Sequence, residues 1–302
     1  MKIVAFFNLI RWKNLLLLLY SLLLLKFLLF SFLQISTNLS IFEFIVLLIS
    51  IILITAAGYI INDILDVKSD LINKPNKVIV TNVFSIEQSK QLYLWINTLG
   101  LILGIGLSMH LQKPSFSFIF IGASLLLYYY SKKFKAVPLV GNITVSFLSA
   151  LSIYIIYMID IDTSIKVNTL QLAINIVFIY SFFAFLLSLI RELIKDIEDV
   201  NGDYNLQMNT LPILIGKKRT QQIITVICII LIILLIFILI NIASIYKFTA
   251  LYVLFFIIVP LGYCTFKIKS AESLKEFKNI SSLLKIIMFL GISSVIIFIL
   301  TS

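Results

Sequence analysis

The sequence predicts an all-α, polytopic membrane protein, a bundle of about nine transmembrane helices. Of its 302 residues, 61% are hydrophobic and 13% are charged, compared with about a half and a quarter in typical soluble domains. The apolar residues form continuous runs about 20 residues long, enough for a helix to cross a bilayer core of about 30 Å. The runs lack the alternation that is typical of barrel strands, so helices are expected.

Polar segments divide the chain into nine predicted spans. These spans cover residues 13–34, 41–62, 89–110, 115–131, 138–158, 171–194, 221–243, 248–266 and 280–300. The first run lacks a small-residue cleavage site and is too long for a signal-peptide core, so we expect it to be retained. We therefore predict one transmembrane domain over residues 1–302, with loops that carry acidic motifs at about 62–88 and 195–220.

The basic residues lie mainly on one side of the predicted bundle. Twenty of the 24 Lys and Arg residues fall on the side of the N-terminus, and the exceptions are Lys26, Lys113, Lys166 and Lys247. By the positive-inside rule this side is cytoplasmic. We expect a multi-pass protein of the cell inner membrane, with its N-terminus and active site in the cytoplasm. The net charge of +10 is explained by basic residues that set the membrane topology or contact lipid headgroups. We therefore expect no nucleic-acid partner.

Residue types that often carry metal or redox chemistry are scarce. Cys228 and Cys264 lie in separate apolar runs, and we expect both to be packing residues. His110 is the only histidine in the sequence. This excludes His clusters and haem ligation by paired histidines.

Two short segments at the ends of predicted spans hold eight of the 14 acidic residues. The first, NDILDVKSD, places Asp63, Asp66 and Asp70 at i, i+3 and i+7, which is one face of a helix. The second, RELIKDIEDVNGD, repeats this spacing, and Gly202 is a candidate helix end that would leave its last aspartate in a loop. Like charges this close need a compensating cation, and ionisable groups at membrane depth are typically functional. The aspartates of the second segment are Asp196, Asp199 and Asp203.

The chemistry of these side chains favours a hard divalent cation. Carboxylate and amide oxygens without His or Cys suit Mg²⁺ better than Zn²⁺ or copper. Mg²⁺ is usually held by few carboxylates together with substrate phosphates, so two carboxylate faces predict a clamp of two Mg²⁺ ions on a diphosphate. The six aspartates are the candidate catalytic residues. The candidate metal ligands are Asn62, Asp63, Asp66, Asp70, Asp196, Asp199 and Asp203.

These motifs resemble those of the UbiA-type superfamily of intramembrane prenyltransferases, and the resemblance covers nearly the whole chain. The segment from Asn62 to Asp70 matches the family's NDxxDxxxD motif, and Asp199 and Asp203 match its DxxxD motif. The segment KDIEDVNGD, followed by NTLPILIGKK, looks most like the digeranylgeranylglyceryl phosphate synthase branch. The chain also carries an IRxxN opening at Arg11 and Asn14 and a YxxxK pattern at Tyr129 and Lys133.

The resemblance implies transfer of a prenyl group from an isoprenoid diphosphate to an acceptor, with Mg²⁺ as the cofactor. Two departures from the family pattern are Trp12, where Pro is common, and Lys74, which replaces an Arg and lacks its bidentate fork. The candidate substrate-binding residues are Arg11, Asn14, Lys74, Lys77, Tyr129, Lys133, Asn142, Arg191 and Lys195.

Three functions remain open at this stage. The leading one transfers a geranylgeranyl group from its diphosphate to a lipid acceptor such as geranylgeranylglyceryl phosphate. A second transfers a polyprenyl chain to an aromatic quinone precursor, such as dihydroxynaphthoate or hydroxybenzoate, with the same diphosphate machinery. A cation-coupled transporter is a distant third, because transport favours ionisable residues near the bilayer midplane and these acids lie at one face. The sequence assigns the protein no oligomeric state.

Overall fold

The structure, a computed structural model, describes residues 2–73, 75–161 and 167–301. These ranges are helical, without β-strands beyond two isolated bridges. A π-helix over Leu24–Phe30 continues the helix that ends at Leu23, and another over Leu254–Ile258 joins the helix that ends at Val253 to the one that begins at Val259. The helices are α1 (Lys2–Leu9), α2 (Trp12–Leu23), α3 (Ile41–Leu65), α4 (Val67–Asn73), α5 (Ile86–His110), α6 (Ser117–Lys132), α7 (Val140–Asp160), α8 (Val167–Asn205), α9 (Leu211–Ile215), α10 (Lys217–Ile242), α11 (Lys247–Val253), α12 (Val259–Ser270) and α13 (Leu274–Thr301).

The prediction of an all-α membrane bundle is confirmed. Within the described ranges, eight segments are long and apolar enough to cross a membrane. The remaining predicted span, 115–131, corresponds to α6, which has 16 residues and is about 24 Å long. A 3-10 turn over Pro114–Phe116 precedes α6 and adds about 6 Å, so the two together match the bilayer core.

The two segments predicted as loops, 62–88 and 195–220, are largely helical. The acidic part of the first segment completes α3 and forms α4, and α8 continues to Asn205. Gly202 therefore does not end its helix, and Asp203 is helical rather than in a loop. The reason is tertiary packing, which overrides the low helix propensity of glycine. A Cβ atom at Gly202 would lie 2.2 Å from Asn73 Nδ2 of α4.

Two large clusters of buried apolar residues form most of the core of the described ranges, and a smaller third cluster packs Leu9 of α1 against Ile60 of α3 and Val80. The first joins α2, α3 and α7 to the N-terminal half of α8, and the second joins α10 and α12 to its C-terminal half. α13 contributes to both clusters, as α8 does. Cys228 and Cys264 are free and fully buried in the second cluster. Because α8 and α13 pass from one cluster to the other, the space between the clusters is bordered by both helices.

Glycines allow α3 and α5 to pack closely. A Cβ atom at Gly104 would lie 2.7 Å from Ser50 Oγ, and one at Gly100 would lie 2.9 Å from Ile54. Ser50 Oγ donates a hydrogen bond of 2.8 Å to the carbonyl oxygen of Gly100. Small residues spaced by four are typical of close helix packing in membranes. This contact positions α3, whose last turn carries the first acidic motif.

A buried ion pair connects the first span to the end of α7, opposite the acidic motifs. Lys26 is 7% exposed and Asp160 is fully buried, and Lys26 Nζ lies 2.7 Å from Asp160 Oδ2. Lys26 Nζ also donates to the carbonyl oxygen of Leu39 at 3.1 Å, and the backbone N–H of Leu39 donates to Asp160 Oδ1 at 3.0 Å. The pair therefore attaches the connection between α2 and α3 to α7.

We predict that Lys26→Met destabilises the protein by about 3–5 kcal/mol, because removal of one partner leaves a buried charge uncompensated. The double variant K26M/D160N should recover much of this loss, since Asn at 160 is neutral and still accepts from Leu39. The measurement is the thermal unfolding midpoint in detergent. Equal midpoints for the native protein and Lys26→Met would contradict the prediction.

Candidate active site

The first acidic motif lies where α3 passes into α4. Asp66 is the C-cap of α3, with φ −89° and ψ 0°, and the helical hydrogen bonds continue across this junction. The backbone N–H of Asp66 donates to the carbonyl oxygen of Asn62 at 2.9 Å, and that of Asp70 donates to Asp66 at 2.8 Å. The acids therefore follow one another at one per turn, as their spacing predicts.

The second acidic motif lies in the last three turns of α8. Asp203 is buried, and Asp196 and Asp199 are partly buried. Asn142, near the start of α7, is buried and donates from Nδ2 to Asp196 Oδ2 at 2.9 Å. This hydrogen bond fixes the orientation of one carboxylate. We call the region where α3, α4 and the C-terminal part of α8 meet the acidic end of the bundle.

Asn73 joins the two motifs at the acidic end. Its Nδ2 donates to the carbonyl oxygen of Asp199 at 3.0 Å, and its Oδ1 accepts from the backbone N–H of Gly202 at 2.9 Å. One side-chain amide of α4 therefore contacts the backbone of α8 in both directions. The absence of a side chain at Gly202 leaves the space that this amide occupies.

Among the described residues, Arg11 and Lys135 each contact an acid of the first motif. Arg11 Nη2 donates to Asp63 Oδ1 at 3.0 Å, and the guanidinium lies 4.8 Å from the centre of the Tyr59 ring. Lys135 Nζ forms an ion pair with Asp66 Oδ1. Burial lowers the pKa of Lys135 to about 8, although Asp203 and other carboxylates of both motifs act in the opposite direction.

Arg11 and Lys135 both lie in backbone segments that are not α-helical. Arg11 has a left-handed conformation with φ 52°, which is uncommon for a residue other than glycine and is often found at functional sites. Lys135 belongs to a 3-10 turn over Phe134–Ala136. This turn approaches α7 so closely that a Cβ atom at Gly141 would lie 2.7 Å from Lys135 Cα.

The acidic end fits a divalent cation bound together with a phosphate. Its donors are carboxylate and amide oxygens, and the Lys135 ammonium already lies in the field of acids from both motifs. Among the described residues, no three His, Cys, Asp or Glu side chains converge as a ready ligand set. This arrangement suits Mg²⁺, because Mg²⁺ takes few protein ligands and completes its shell with water and substrate phosphates.

An elongated cavity of about 640 Å³ begins beside the acidic end and extends through the bundle. On α8 its lining runs from Leu172 to Lys195, a distance of about 35 Å at 1.5 Å per residue. Most of the lining is apolar and includes Phe32 and Phe298 far from the acids. The polar lining near the acidic end comprises Arg11, Asn14, Tyr59, Asn62, Tyr130, Arg191, Glu192, Lys195 and Lys285.

The structure separates the predicted substrate-binding residues into groups. Arg11, Asn14, Arg191 and Lys195 line the cavity, and Asn14 Nδ2 donates to the Tyr59 hydroxyl at 3.2 Å. Asn142 contacts the second acidic motif as described above. Lys74 and the side chain of Lys77 lie outside the described part of the chain.

Tyr129 and Lys133 do not line the cavity. Tyr129 is 43% exposed, and its ring stacks on Phe134 with 6.1 Å between centroids. Lys133 is exposed at the end of α6. Their neighbours Tyr130, in the cavity lining, and Lys135, beside Asp66, contact the site instead.

Sequence reasoning missed three residues at or beside the site. Lys135 was hidden by the 3-10 turn after α6, whose path helical periodicity does not predict. Asn73 gave no signal, because its partners on α8 are distant in sequence. Lys285 did give a signal, since it is the only cation within the predicted span 280–300, and intramembrane cations are typically functional. It is one of the twenty basic residues that the positive-inside rule groups on the side of the N-terminus.

Comparisons with known proteins agree with this geometry. The profile of the UbiA prenyltransferase family matches residues 23–291. The digeranylgeranylglyceryl phosphate synthase of Sulfurisphaera tokodaii is 30% identical over 251 residues, covering 82% of this chain and 84% of that protein. That of Saccharolobus solfataricus is 29% identical over 250 residues, covering 83% and 81%. That of Methanothermobacter thermautotrophicus is 35% identical over 189 residues, covering 59% and 58%.

Solved structures share the fold. A digeranylgeranylglyceryl phosphate synthase structure matches with a TM-score of 0.59 at 22% identity, covering 99% of this chain and 98% of that one. A UbiA homologue from Archaeoglobus fulgidus bound to GPP and Mg²⁺ matches with a TM-score of 0.58 at 18% identity, covering 95% and 99%.

We predict that Gly202→Ala weakens divalent-cation binding about tenfold or more. The new methyl group would displace Asn73 and break two hydrogen bonds between the motifs, each of which contributes about 1 kcal/mol, and 1.4 kcal/mol is a factor of ten. The measurement is titration of the purified protein with Mn²⁺, followed by electron paramagnetic resonance.

Gly122→Ala is the matched control for this prediction. Gly122 also lies within a helix, but a Cβ atom there would have no neighbour within 4 Å, so its Mn²⁺ affinity should match that of the native protein. Native affinity in Gly202→Ala would show that the Asn73 contact does not position the acids.

Proposed function

The chain belongs to the UbiA prenyltransferase family, and we propose that it catalyses Mg²⁺-dependent transfer of a geranylgeranyl group from geranylgeranyl diphosphate to geranylgeranylglyceryl phosphate. One observation carries the proposal: the two acidic motifs face each other beside a long apolar cavity. An isoprenoid diphosphate has the matching shape, with a strongly anionic head and an apolar tail. Relatives with the corresponding synthase activity, similar over more than four-fifths of the chain, support the choice of acceptor.

The acidic end would hold the donor's diphosphate through the metal. The ligands would come from Asn62, Asp63, Asp66 and Asp70 on one side and from Asp196, Asp199 and Asp203 on the other. We propose two ions bridged by the diphosphate, since each motif alone presents carboxylates on one face. When bound, Mg²⁺ supplies electrostatic stabilisation of the negative charge that develops on the leaving diphosphate.

Other side chains would position the groups that react. Asn142 holds Asp196, and Arg11 holds Asp63 while it faces the cavity. The ammonium of Lys135 compensates the acids and can turn to a phosphate oxygen when the metal binds. Lys74, Lys77, Tyr129 and Lys133, which lie outside the cavity lining or outside the described residues, remain proposed contacts for the diphosphate head.

The reaction would take place at the polar end of the cavity. The allylic C–O bond of the donor breaks with its electron pair going to the diphosphate, and the acceptor's hydroxyl oxygen forms the new C–O bond. The hydroxyl proton passes to the departing diphosphate. Tyr59 and Tyr130 line this end, and their ring faces can stabilise the positive charge on the allylic carbon. The apolar lining excludes water that would otherwise capture this carbon.

We propose that the acidic end faces the cytoplasm from the inner membrane and that both prenyl substrates enter from the membrane lipids. We infer that the nine long helices of the described ranges cross the membrane in turn, so that consecutive helices run in opposite directions and the N-terminal segment and both acidic motifs lie at the same end. Arg11, Lys13 and Lys135 lie at this end with most of the other basic residues, which the positive-inside rule assigns to the cytoplasm.

Alkaline phosphatase fused after Thr301, at the other end, should therefore be active in a bacterial host, and a fusion after Ala271 should be inactive. Green fluorescent protein at the same two positions should give the reverse pattern. Fluorescence from the fusion after Thr301 would contradict this orientation.

The proposed reaction predicts a labelled ether lipid when purified protein is incubated with Mg²⁺, labelled geranylgeranyl diphosphate and geranylgeranylglyceryl phosphate. Dihydroxynaphthoate and hydroxybenzoate form the comparison arms, and addition of EDTA should abolish the product. Product on an aromatic acceptor alone would refute the proposed acceptor and favour quinone-precursor prenylation.

Asp199→Asn tests the role of the second acidic motif in this assay. It keeps the size of the side chain but removes the charge that would bind the metal, so turnover should fall by roughly a hundredfold or more. Its thermal midpoint should stay near that of the native protein. Native turnover in this variant would exclude the second motif from catalysis.

A further inference from the structure

A group of cations lines the cavity deeper in the bundle than the acidic motifs, on the side where α8 and α13 meet. Arg191 and Lys195 belong to α8, and Lys285 belongs to α13. We call these three residues the cationic cluster. Among the described residues that line the cavity, Glu192 is the one carboxylate, and it lies within this cluster.

The charges of the cluster do not balance. Glu192 Oε1 accepts from Arg191 Nη1 at 3.2 Å and from Lys195 Nζ at 2.5 Å. Lys285 has no ion pair with any carboxylate in the described ranges. Three cations against one carboxylate leave an excess of two positive charges. A phosphate monoester carries about −1.5 to −2 charges at neutral pH and so matches this excess.

Two further features favour an anionic ligand at the cluster. Arg191 Nε is buried and donates to no acceptor in the described part of the protein, which is rare for a buried donor. Lys285 lies 11 residues beyond the start of α13, about 16 Å along the helix. An ionisable residue so far inside a membrane helix is typically functional, and an anion in the cavity would satisfy both side chains.

We propose that the cationic cluster binds the phosphate group of the acceptor lipid, at a subsite separate from the acidic motifs. This inference rests on the proposed function above. The donor's diphosphate belongs with the acids through Mg²⁺, and Asp196 and Asp199 lie five and eight residues beyond Arg191 on α8, about 8 and 12 Å along the helix axis. One diphosphate held at the acids therefore leaves the cluster available to a second anion.

The position of the cluster suits the geometry of the acceptor. In geranylgeranylglyceryl phosphate the free hydroxyl is on the carbon next to the one that bears the phosphate. A phosphate at the cluster therefore keeps this hydroxyl close to the cluster, from where it can turn to the acidic end and the donor's allylic carbon. Arg11 lines the cavity near the cluster and is already paired with Asp63, so it stands between the two anion sites.

The charge count favours a phosphate over an aromatic carboxylate. A benzoate-type acceptor carries one negative charge and would leave one positive charge of the cluster uncompensated. A phosphate monoester would neutralise the cluster fully, and the Arg191 guanidinium offers the donors that such a group accepts in pairs. The cluster is thus a specificity-determining site of the proposed reaction.

The direct test is binding of geranylgeranylglyceryl phosphate to the full-length protein in detergent with EDTA, where the metal-dependent donor site is not formed. We expect the native protein to bind, Lys285→Met to bind at least tenfold more weakly, and Lys285→Arg to retain most of the affinity. Inorganic phosphate should compete weakly, and phosphatidylglycerol, a phosphate diester, should not compete. Absence of binding to the native protein, or equal binding by Lys285→Met, would overturn the inference.

Lys278→Met is the matched control on the same helix. Lys278 is exposed and does not line the cavity, so its affinity for the lipid should equal that of the native protein. Equal thermal midpoints of the native protein and both Lys→Met variants would exclude a merely structural effect.

Turnover kinetics separate this subsite from the donor site. Lys285→Met should raise KM for the acceptor at least tenfold, with KM for geranylgeranyl diphosphate within twofold and kcat nearly unchanged at saturating acceptor. A rise in KM for the donor instead would assign the cluster to the diphosphate and refute the inference. If the native protein binds the lipid phosphate but transfers nothing to it, the proposed function fails while the subsite stands.

Discussion

The site depends on one contact, in which the side-chain amide of Asn73 bonds to the backbone of α8 beside Gly202. Two acidic motifs repel each other, so their approach requires a short-range interaction that outweighs the repulsion. Two hydrogen bonds to backbone groups provide it at a point where neither helix presents a bulky side chain. The acids of α3 and α4 can therefore face those of α8.

The remaining electrostatics of the protein follow from this juxtaposition. Lys135 and Arg11 each contact an acid of the first motif, and Asn142 orients an acid of the second. Arg11 and Lys135 thus supply positive charge beside carboxylates that a bound metal ion would also compensate. Beyond them the cavity becomes apolar, so an anionic head and a hydrocarbon tail are received by adjoining regions of one space.

Charges inside the bundle fall into two kinds. Lys26 and Asp160 are buried and fully paired far from the acids, where they hold the α2–α3 connection against α7. Lys285 faces the cavity without a carboxylate partner in the described ranges. A membrane interior penalises both kinds, but in the first the protein itself supplies the counter-charge. In the second, we propose that a ligand supplies it, and this would distinguish a binding site from a structural ion pair.

The sequence by itself determined the helical membrane bundle and the acid spacing, because run length and helical periodicity are local properties that can be read along the chain. It also indicated a hard cation, since the residue types in the motifs are oxygen donors. Only the tertiary structure decided that Asp203 remains helical, that Lys135 rather than Lys133 reaches an acid, and that Lys285 faces the cavity. These facts depend on helix crossings and on the turn after α6, which bring together residues far apart in the chain. Such contacts arise from packing between helices, and the pattern of residues within one segment does not indicate which distant segment it packs against.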